Sequence, residues 1–331
     1  MVIKNVIQSI LNHINGQKLL VIGDIIADEY IFGNTYRLSR EAPIPIIRYK
    51  SSEVKPGGAG NVAMNIASLG GKVSLVGVIG IDSYGTELIK IFQSNSVSTD
   101  LILTANIQTV IKTRVLAGDI NTAMQQIFRL DKGINNDYPP NIYMSIKENI
   151  SKAINLFDTI VLSDYGEGLF TKDFIRWILK IASRKKVIVD SRFNFKSFKN
   201  ITALTPNINE ISQFYGRFVQ TDRELEKATK RLKKHTNAKY ILLKKGREGI
   251  AILGDNNKYL SYPAFGNIEV ADVTGAGDTV LAAFALALSA GIQSEKAAQF
   301  ANIAGGIKVQ KRGTVPVSRD EIIRVINGKK I

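Results

Sequence analysis

The chain has 331 residues, 45% of them hydrophobic, enough to bury a sizeable core and to exclude a disordered polymer. A formal net charge of +15 reads as a biased composition spread over solvated faces or as attraction for phosphorylated small molecules, nucleic acid or anionic membrane, while the absence of cysteine excludes disulfides and thiolate metal sites. Two scattered histidines, His13 and His235, leave carboxylates, lysines, arginines and backbone groups to carry any catalysis.

Ile3, Val6, Ile7, Ile10, Leu11 and Ile14 recur at helical spacing, so residues 1–16 read as an amphipathic helix rather than a secretory leader, and a cytoplasmic protein is expected. The stretch KLLVIG (18–23) reads as a buried strand, with Asp24 and Asp28 just beyond its end. Acids at the carboxyl end of a strand suit sugar hydroxyls, since each carboxylate accepts from neighbouring OH groups; a turn capped by Asp24 is the alternative. Residues 29–53 look like extended strands without a crossover helix. The stretch GGAGNVA (57–63) satisfies a dinucleotide G-x-G-x-x-A pattern, but Pro56 and a charged stretch separate it from the first strand. Gly57 and Gly58 are better read as allowing close approach of a polyhydroxylated ligand, with Asn61 hydrogen-bonding from the following helix turn.

Helical patterns at 59–69, 84–95, 139–155, 171–184, 207–214 and 221–235 then alternate with apolar runs at 72–80, 158–164, 185–190, 201–206 and 239–246. This alternation predicts an α/β fold with a mostly parallel sheet covered on both faces. Residues 107–130 interrupt the rhythm as 29–53 do, and the two together predict a small second sheet serving as a lid. No boundary divides the chain, so residues 1–331 read as one domain. In TPNINE (205–210), Asn207 and Glu210 lie one helical turn apart, the spacing of a capping box or of a pair holding Mg²⁺ through water beside phosphate oxygens.

The stretch ADVTGAGDTV (271–280) runs into an apolar helix expected at about 276–290, followed by helices at 294–310 and 318–327. Glycines before a helix present free N–H groups at its positive end, which makes an anion cradle. Asp278 inside it either takes the proton of an attacking hydroxyl or caps the helix. The apolar run around 280–290 is shorter than the roughly 18 residues of a membrane span, so no membrane partner is expected. The basic clusters at 231–247 and 308–312 lack interleaved aromatics, and no nucleic-acid partner is expected.

The stretches DVTGAGDTV, PGGAGNVAMNIASLGG (56–71) and NINE (207–210) resemble, in order and spacing, the motifs of the ribokinase-like (PfkB-type) carbohydrate kinases, and the resemblance covers nearly the whole chain. It implies a three-layer αβα sandwich with a β-sheet lid, ATP and Mg²⁺, and transfer of the γ-phosphate to a sugar hydroxyl. Carried over, the general base falls on Asp278, the anion hole on the N–H groups of Gly275, Ala276 and Gly277, and sugar contacts on Asp24, Asp28, Gly57, Gly58, Asn61 and Asp164. Lid contacts fall on Arg114, Gln126 and Arg129, and nucleotide contacts on Asn207, Lys244, Gly246, Gly249, Thr274, Gly277 and Asn302. Asn207 and Glu210 correspond to the Mg²⁺ motif, and Asp272 and Thr274 to positions that often bind a monovalent cation such as K⁺.

Within the family, RLSREAPIPI (37–46), QQIFRLD (125–131) and VLSDYGEG (161–168) resemble the heptose 7-phosphate kinases of ADP-heptose synthesis, the pathway supplying heptose to lipopolysaccharide. The chain ends soon after the kinase segment, so a stand-alone kinase is expected. Two positions depart from that pattern: Glu167 stands where a lysine is common, and DSRFN (190–194) replaces D-P-K-G, which leaves Arg192 to supply positive charge. Another PfkB-type kinase, acting on ribose, fructose or adenosine, is the nearest alternative, and a non-catalytic sugar-phosphate sensor a more distant one. A homodimer formed through the lid is expected, since a lid of extended strands can pair with its twin across a two-fold axis.

Overall fold

The computed structural model describes residues 2–118, 124–133, 138–266 and 272–328; Ala271, residues 119–123 of the second lid segment and the side chain of Ile3 lie outside the described part. Strand β1 (Lys18–Gly23) divides its apolar side chains between two cores, Leu19 and Val21 joining one, Leu20 and Ile22 the other. A strand buried on both faces needs this uninterrupted apolar run, because successive side chains point to opposite sides.

The lid strands β2 (Ile25–Leu38) and β3 (Pro45–Gly58) follow, then α2 (Ala59–Ser68), β4 (Lys72–Gly80), α3 (Ser83–Ser94), β5 (Val97–Ser98) and β6 (Ile102–Ala105). The chain returns to the lid in β7 (Val110–Gly118) and β8 (Gln125–Lys132). A crossover series comes next: α4 (Pro140–Ala153), β9 (Thr159–Asp164), α5 (Lys172–Ile181), β10 (Lys186–Ser191), β11 (Ala203–Leu204), α6 (Ile208–Tyr215), α7 (Asp222–Thr236) and β12 (Tyr240–Lys244). Strands β13 (Ile250–Leu253) and β14 (Tyr259–Tyr262) precede α8 (Ala276–Ser289), α9 (Ser294–Lys308) and α10 (Arg319–Ile326), and α1 (Val2–Ile14) opens the chain.

The main sheet runs β14-β13-β12-β11-β10-β9-β1-β4-β5, with β6 also on β4, and every pairing is parallel except β12 with β13 and β13 with β14. Helices α1, α2, α3, α8, α9 and α10 supply one core; α4, α5, α6 and α7 supply the other. This is the expected three-layer sandwich.

Three details differ from the sequence reading. The strand expected over 201–206 shrinks to Ala203–Leu204. An antiparallel edge, β13 and β14, was not foreseen, because four-residue strands leave little periodicity to detect. The first lid pair is longer than 29–53, running over Ile25–Leu38 and Pro45–Gly58.

The second sheet has the order β3-β2-β7-β8. Asp24 alone separates β1 from β2, so the chain passes from the carboxyl end of the central strand directly into the lid. The other side of the mouth is formed by α8, buried at every residue from Asp278 to Leu288, which explains its apolar composition without a membrane. Among the described residues, no helix is long and apolar enough to cross a membrane.

Candidate active site

A cavity of about 860 Å³ lies between the lid and the carboxyl ends of the main strands, the place where open α/β sheets bind ligands. Its wall includes Asp28, Gly58, Arg114, Gln126, Arg129, Asp164, Arg192, Asn207, Glu210 and Lys244. Gly246, Gly249, Thr274, Gly275, Ala276, Gly277, Asp278 and Asn302 complete the expected set that meets there.

Asp278 sits in the first turn of α8, but it is not the helix cap. The cap position is Gly275, whose φ of 76° favours glycine, and a Cβ there would lie 2.6 Å from the Asn61 amide. The Asp278 carboxylate instead accepts from two side chains, Asn61 Nδ2 at 2.7 Å and the Tyr165 hydroxyl at 2.6 Å. Burial pushes its pKa up to about 6, while those two hydrogen bonds hold it down. Asn61 is itself positioned by Asn65, whose amide donates to the Asn61 carbonyl at 2.8 Å and to its side-chain oxygen at 3.1 Å. Beside it, the Ala276 N–H donates to the Val273 carbonyl at 3.2 Å. The N–H groups of Gly275 and Gly277 have no backbone acceptor among the described residues, so the cradle offers these two rather than the expected three. Lys244 Nζ would lie 3.5 Å from a Cβ on Gly277, which puts an ammonium at the rim of the cradle.

Four expected contacts are not on the wall, each for an identifiable reason. Asn61 is fully buried and spends its amide on Asp278. Gly57 leaves room for Asp28, since a Cβ on it would fall 2.5 Å from the Asp28 carboxylate. Asp272 accepts from the backbone N–H of Thr274 and of Gly313, both at 2.8 Å, which makes it a clamp between two loops. Asp24 lies under the surface, its Oδ2 accepting from the N–H groups of Tyr165 at 2.8 Å and Glu167 at 3.3 Å, with no partner for Oδ1 among the described residues. Burial, with Asp164 adding repulsion, pushes the Asp24 pKa to about 7.

Each remaining carboxylate is held by a neighbour. Arg114 meets Asp28 at 2.6 Å, and Lys244 meets Asp190 at 2.7 Å. Burial pulls the Lys244 ammonium down, but Asp190 and Glu210 outweigh it and hold the amine above its ordinary value. Asp164 accepts from the Ser191 hydroxyl at 2.6 Å and Asn194 at 3.1 Å, fixing the loop that carries Arg192. Arg129 is paired with Asp131 through two nitrogens. Asn207 and Glu210 form the full reciprocal capping box of α6, and burial raises the Glu210 pKa to about 7. Among the described residues no cluster of three His, Cys, Asp or Glu side chains could hold a metal unaided. Asn207, Glu210 and Asp190 fit Mg²⁺ in its other mode, where one or two carboxylates act with water and phosphate oxygens.

Sequence reasoning missed Lys112, Tyr165 and Asp190, all on the wall. Asp190 ends a strand as Asp164 does, so the strand-end rule could have found it. Lys112 carried no signal, being one lysine within an alternating lid strand. Its ammonium is 2.7 Å from Glu167, both side chains nearly buried, and 5.4 Å from the Tyr165 ring centre. The Arg192 guanidinium lies over the same ring at 4.5 Å.

Residues 17–321 match the family described as pfkB family carbohydrate kinase. Curated relatives include the Bifunctional protein HldE of Sulfurimonas denitrificans, 37% identical over 92% of this chain and 63% of its own length. The Bifunctional protein HldE of Proteus mirabilis is 37% identical over 95% of this chain and 65% of its own length. The chain therefore spans just under two thirds of the length of these two relatives. Among solved structures, phosphofructokinase-2 from Escherichia coli in complex with substrates and products superposes with a TM-score of 0.78 at 17% identity, over 94% of this chain and 99% of that one. Arabidopsis thaliana ribokinase complexed with ribose and ATP gives 0.70 at 22%, with the same two shares.

The position of Asp24 predicts a pH dependence of stability. Its pKa is about 7 in the fold against 3.8 as a free side chain, so the fold loses stability as pH rises from 3.8 to about 7, where the unfolded chain has released a proton that the fold still holds, and loses no more above that. Asp24→Asn, neutral throughout, should therefore gain melting temperature relative to the parent on going from about pH 5 to about pH 8. Parallel melting curves across that range would show that the carboxylate is not held in this way.

Proposed function

The chain belongs to the pfkB family of carbohydrate kinases, and we propose that its acceptor is a sugar already carrying a phosphate, D-glycero-D-manno-heptose 7-phosphate, phosphorylated at the anomeric hydroxyl. Family membership makes the protein an ATP-dependent phosphotransferase acting on a sugar hydroxyl. The observation that carries the finer reading is the pair of cations on one tyrosine ring. Lys112 and Arg192 lie over the ring of Tyr165, whose hydroxyl touches Asp278. An acceptor with its reacting hydroxyl at Asp278 would thus hold a second anionic group about one ring's length away, where two cations wait. The relatives named HldE, and the motifs resembling heptose 7-phosphate kinases, support heptose as the sugar and ADP-heptose synthesis for lipopolysaccharide as the setting.

In this reading Asp278 accepts the proton of the acceptor hydroxyl as its oxygen attacks the γ-phosphorus of ATP. The bond from that phosphorus to the bridging oxygen breaks, and ADP leaves with its electrons. The N–H groups of Gly275 and Gly277, the positive end of α8 and the Lys244 ammonium face the migrating charge. Mg²⁺ held through water at Asn207 and Glu210, with Asp190 beside them, would supply neutralisation of the phosphate oxygens.

Arg114 and Asp28 place the lid against the acceptor. The lid's outer strands β3 and β8 are open edges carrying exposed Tyr49, Phe128 and Leu130, which supports pairing with a second copy through this sheet. The Glu167 carboxylate, which neutralises Lys112, favours the rival reading of an unphosphorylated acceptor.

Three measurements check the proposal. Asp278→Asn should lower turnover by roughly 10²–10⁴ while leaving ATP binding near the parent's; unchanged turnover would remove Asp278 from the chemistry. With the parent, kcat/KM should fall as pH drops below about 6, and Tyr165→Phe, which removes a hydrogen bond to the carboxylate, should move that limb upward. In an ADP-release screen, heptose 7-phosphate should exceed heptose, ribose and fructose, and Arg192→Ala should raise KM for the phosphorylated sugar alone; a preference for an unphosphorylated sugar would favour the rival.

A further inference from the structure

Lys308 ends α9 and is fully buried, a costly position for an ammonium unless its charge is used. Among the described residues, its Nζ donates one hydrogen bond, to the Lys311 carbonyl at 3.2 Å. Its Cε lies 3.6 Å from where a Cβ on Gly275 would be, so the stem passes directly beneath the residue that caps α8. The negative end of the α9 dipole and the carboxylates of Asp272 and Asp278 all lie within electrostatic reach. Asp272 is tied from both sides to this floor, its own N–H donating to the Val309 carbonyl at 3.1 Å while its carboxylate accepts from Thr274 and Gly313.

The segment that would coordinate a monovalent cation by resemblance, Asp272 to Thr274, is therefore tied to the end of the helix that carries Lys308, with Asp272 in electrostatic reach of the ammonium. We propose that Lys308 is the fixed cation of the anion cradle: its buried ammonium supports the Gly275–Asp278 turn from below, and phosphate binding at the cradle needs no added potassium. The proposal rests on the cradle being the nucleotide phosphate site. Lys308 acts through Gly275 and Asp278 and is a positioning residue, not one that touches substrate.

Calorimetric titration of MgATP into the parent and into Lys308→Ala, in sodium, potassium and ammonium chloride, tests it. The parent should bind equally in all three salts. Lys308→Ala should bind about tenfold more weakly in sodium, the effect of one lost charge-assisted contact, and recover in potassium or ammonium, whose ions can enter the vacated space. Tighter binding by the parent in potassium, a variant within twofold of the parent, or a loss that no ion restores would each overturn the proposal, the last by reducing Lys308 to packing. If the alanine variant does not fold, the parent's response to the three salts decides, joined by Lys308→Met, which keeps the stem volume and should bind weakly in every salt. No MgATP binding by the parent in any salt would instead overturn the reading of the cradle itself.

Discussion

The site depends on one carboxylate kept from water without being neutralised. Burial alone would drive Asp278 toward its protonated form, which could not take a proton from an alcohol. Two donors, Asn61 and Tyr165, stabilise the ionised form and hold its pKa at about 6, so the carboxylate is ionised at neutral pH, the state that the proposed base requires. The three residues come from α8, α2 and the loop after β9, so the carboxylate reports whether three separate parts of the fold have met. A second tier secures the arrangement: Asn65 holds Asn61 and also accepts from the Thr279 hydroxyl at 3.0 Å and the Val317 N–H at 3.2 Å. Buried polar networks of this kind tolerate little partial loss, because each orphaned member carries its full desolvation cost.

The sandwich creates the meeting point. Strands β1, β9, β10 and β12 run in one direction, so Asp24, Asp164, Asp190 and Lys244 all arrive at the same edge. The passage from β1 through Asp24 into β2 brings the lid over that edge. Asp24 serves the join rather than the ligand, receiving the N–H groups of the loop that carries Tyr165. The lid then contributes charge: Asp28, Lys112 and Arg114 lie on adjacent strands β2 and β7 in register, Asp28 opposite Lys112 and Tyr30 opposite Arg114.

Charge in the cavity is arranged as pairs. Asp28 with Arg114, Glu167 with Lys112, and Asp190 with Lys244 each place opposite charges within 2.7 Å. Buried pairs contribute little net stability, since desolvation offsets the attraction, but they hold cations in place for an anionic ligand that can displace a carboxylate. This explains how a wall rich in lysine and arginine folds without a ligand, and it limits the meaning of the overall charge of +15: Lys112, Arg114 and Lys244 are each paired, while Arg192 rests over the Tyr165 ring.

Much of the architecture was legible in the chain. Uninterrupted apolar runs and helical spacings marked most of the long elements, the glycine turn before α8 marked the candidate anion site, and the order of motifs marked the family. The site residues were less completely legible. Asp24 and Asp28 look equivalent in sequence, yet one is beneath the floor and the other on the wall; Asn61 reads as a ligand contact and is a partner of Asp278; nothing in the sequence marks Lys112 and Lys308 as buried, and both are. Local periodicity and turn chemistry act over a few residues, so the sequence by itself determines the longer strands and helices and the glycine turn, but not the four-residue edge strands β13 and β14. Which side chain neutralises which, and which is desolvated, depends on contacts between segments as much as 217 residues apart, such as Asn61 with Asp278, and only the packed fold decides those.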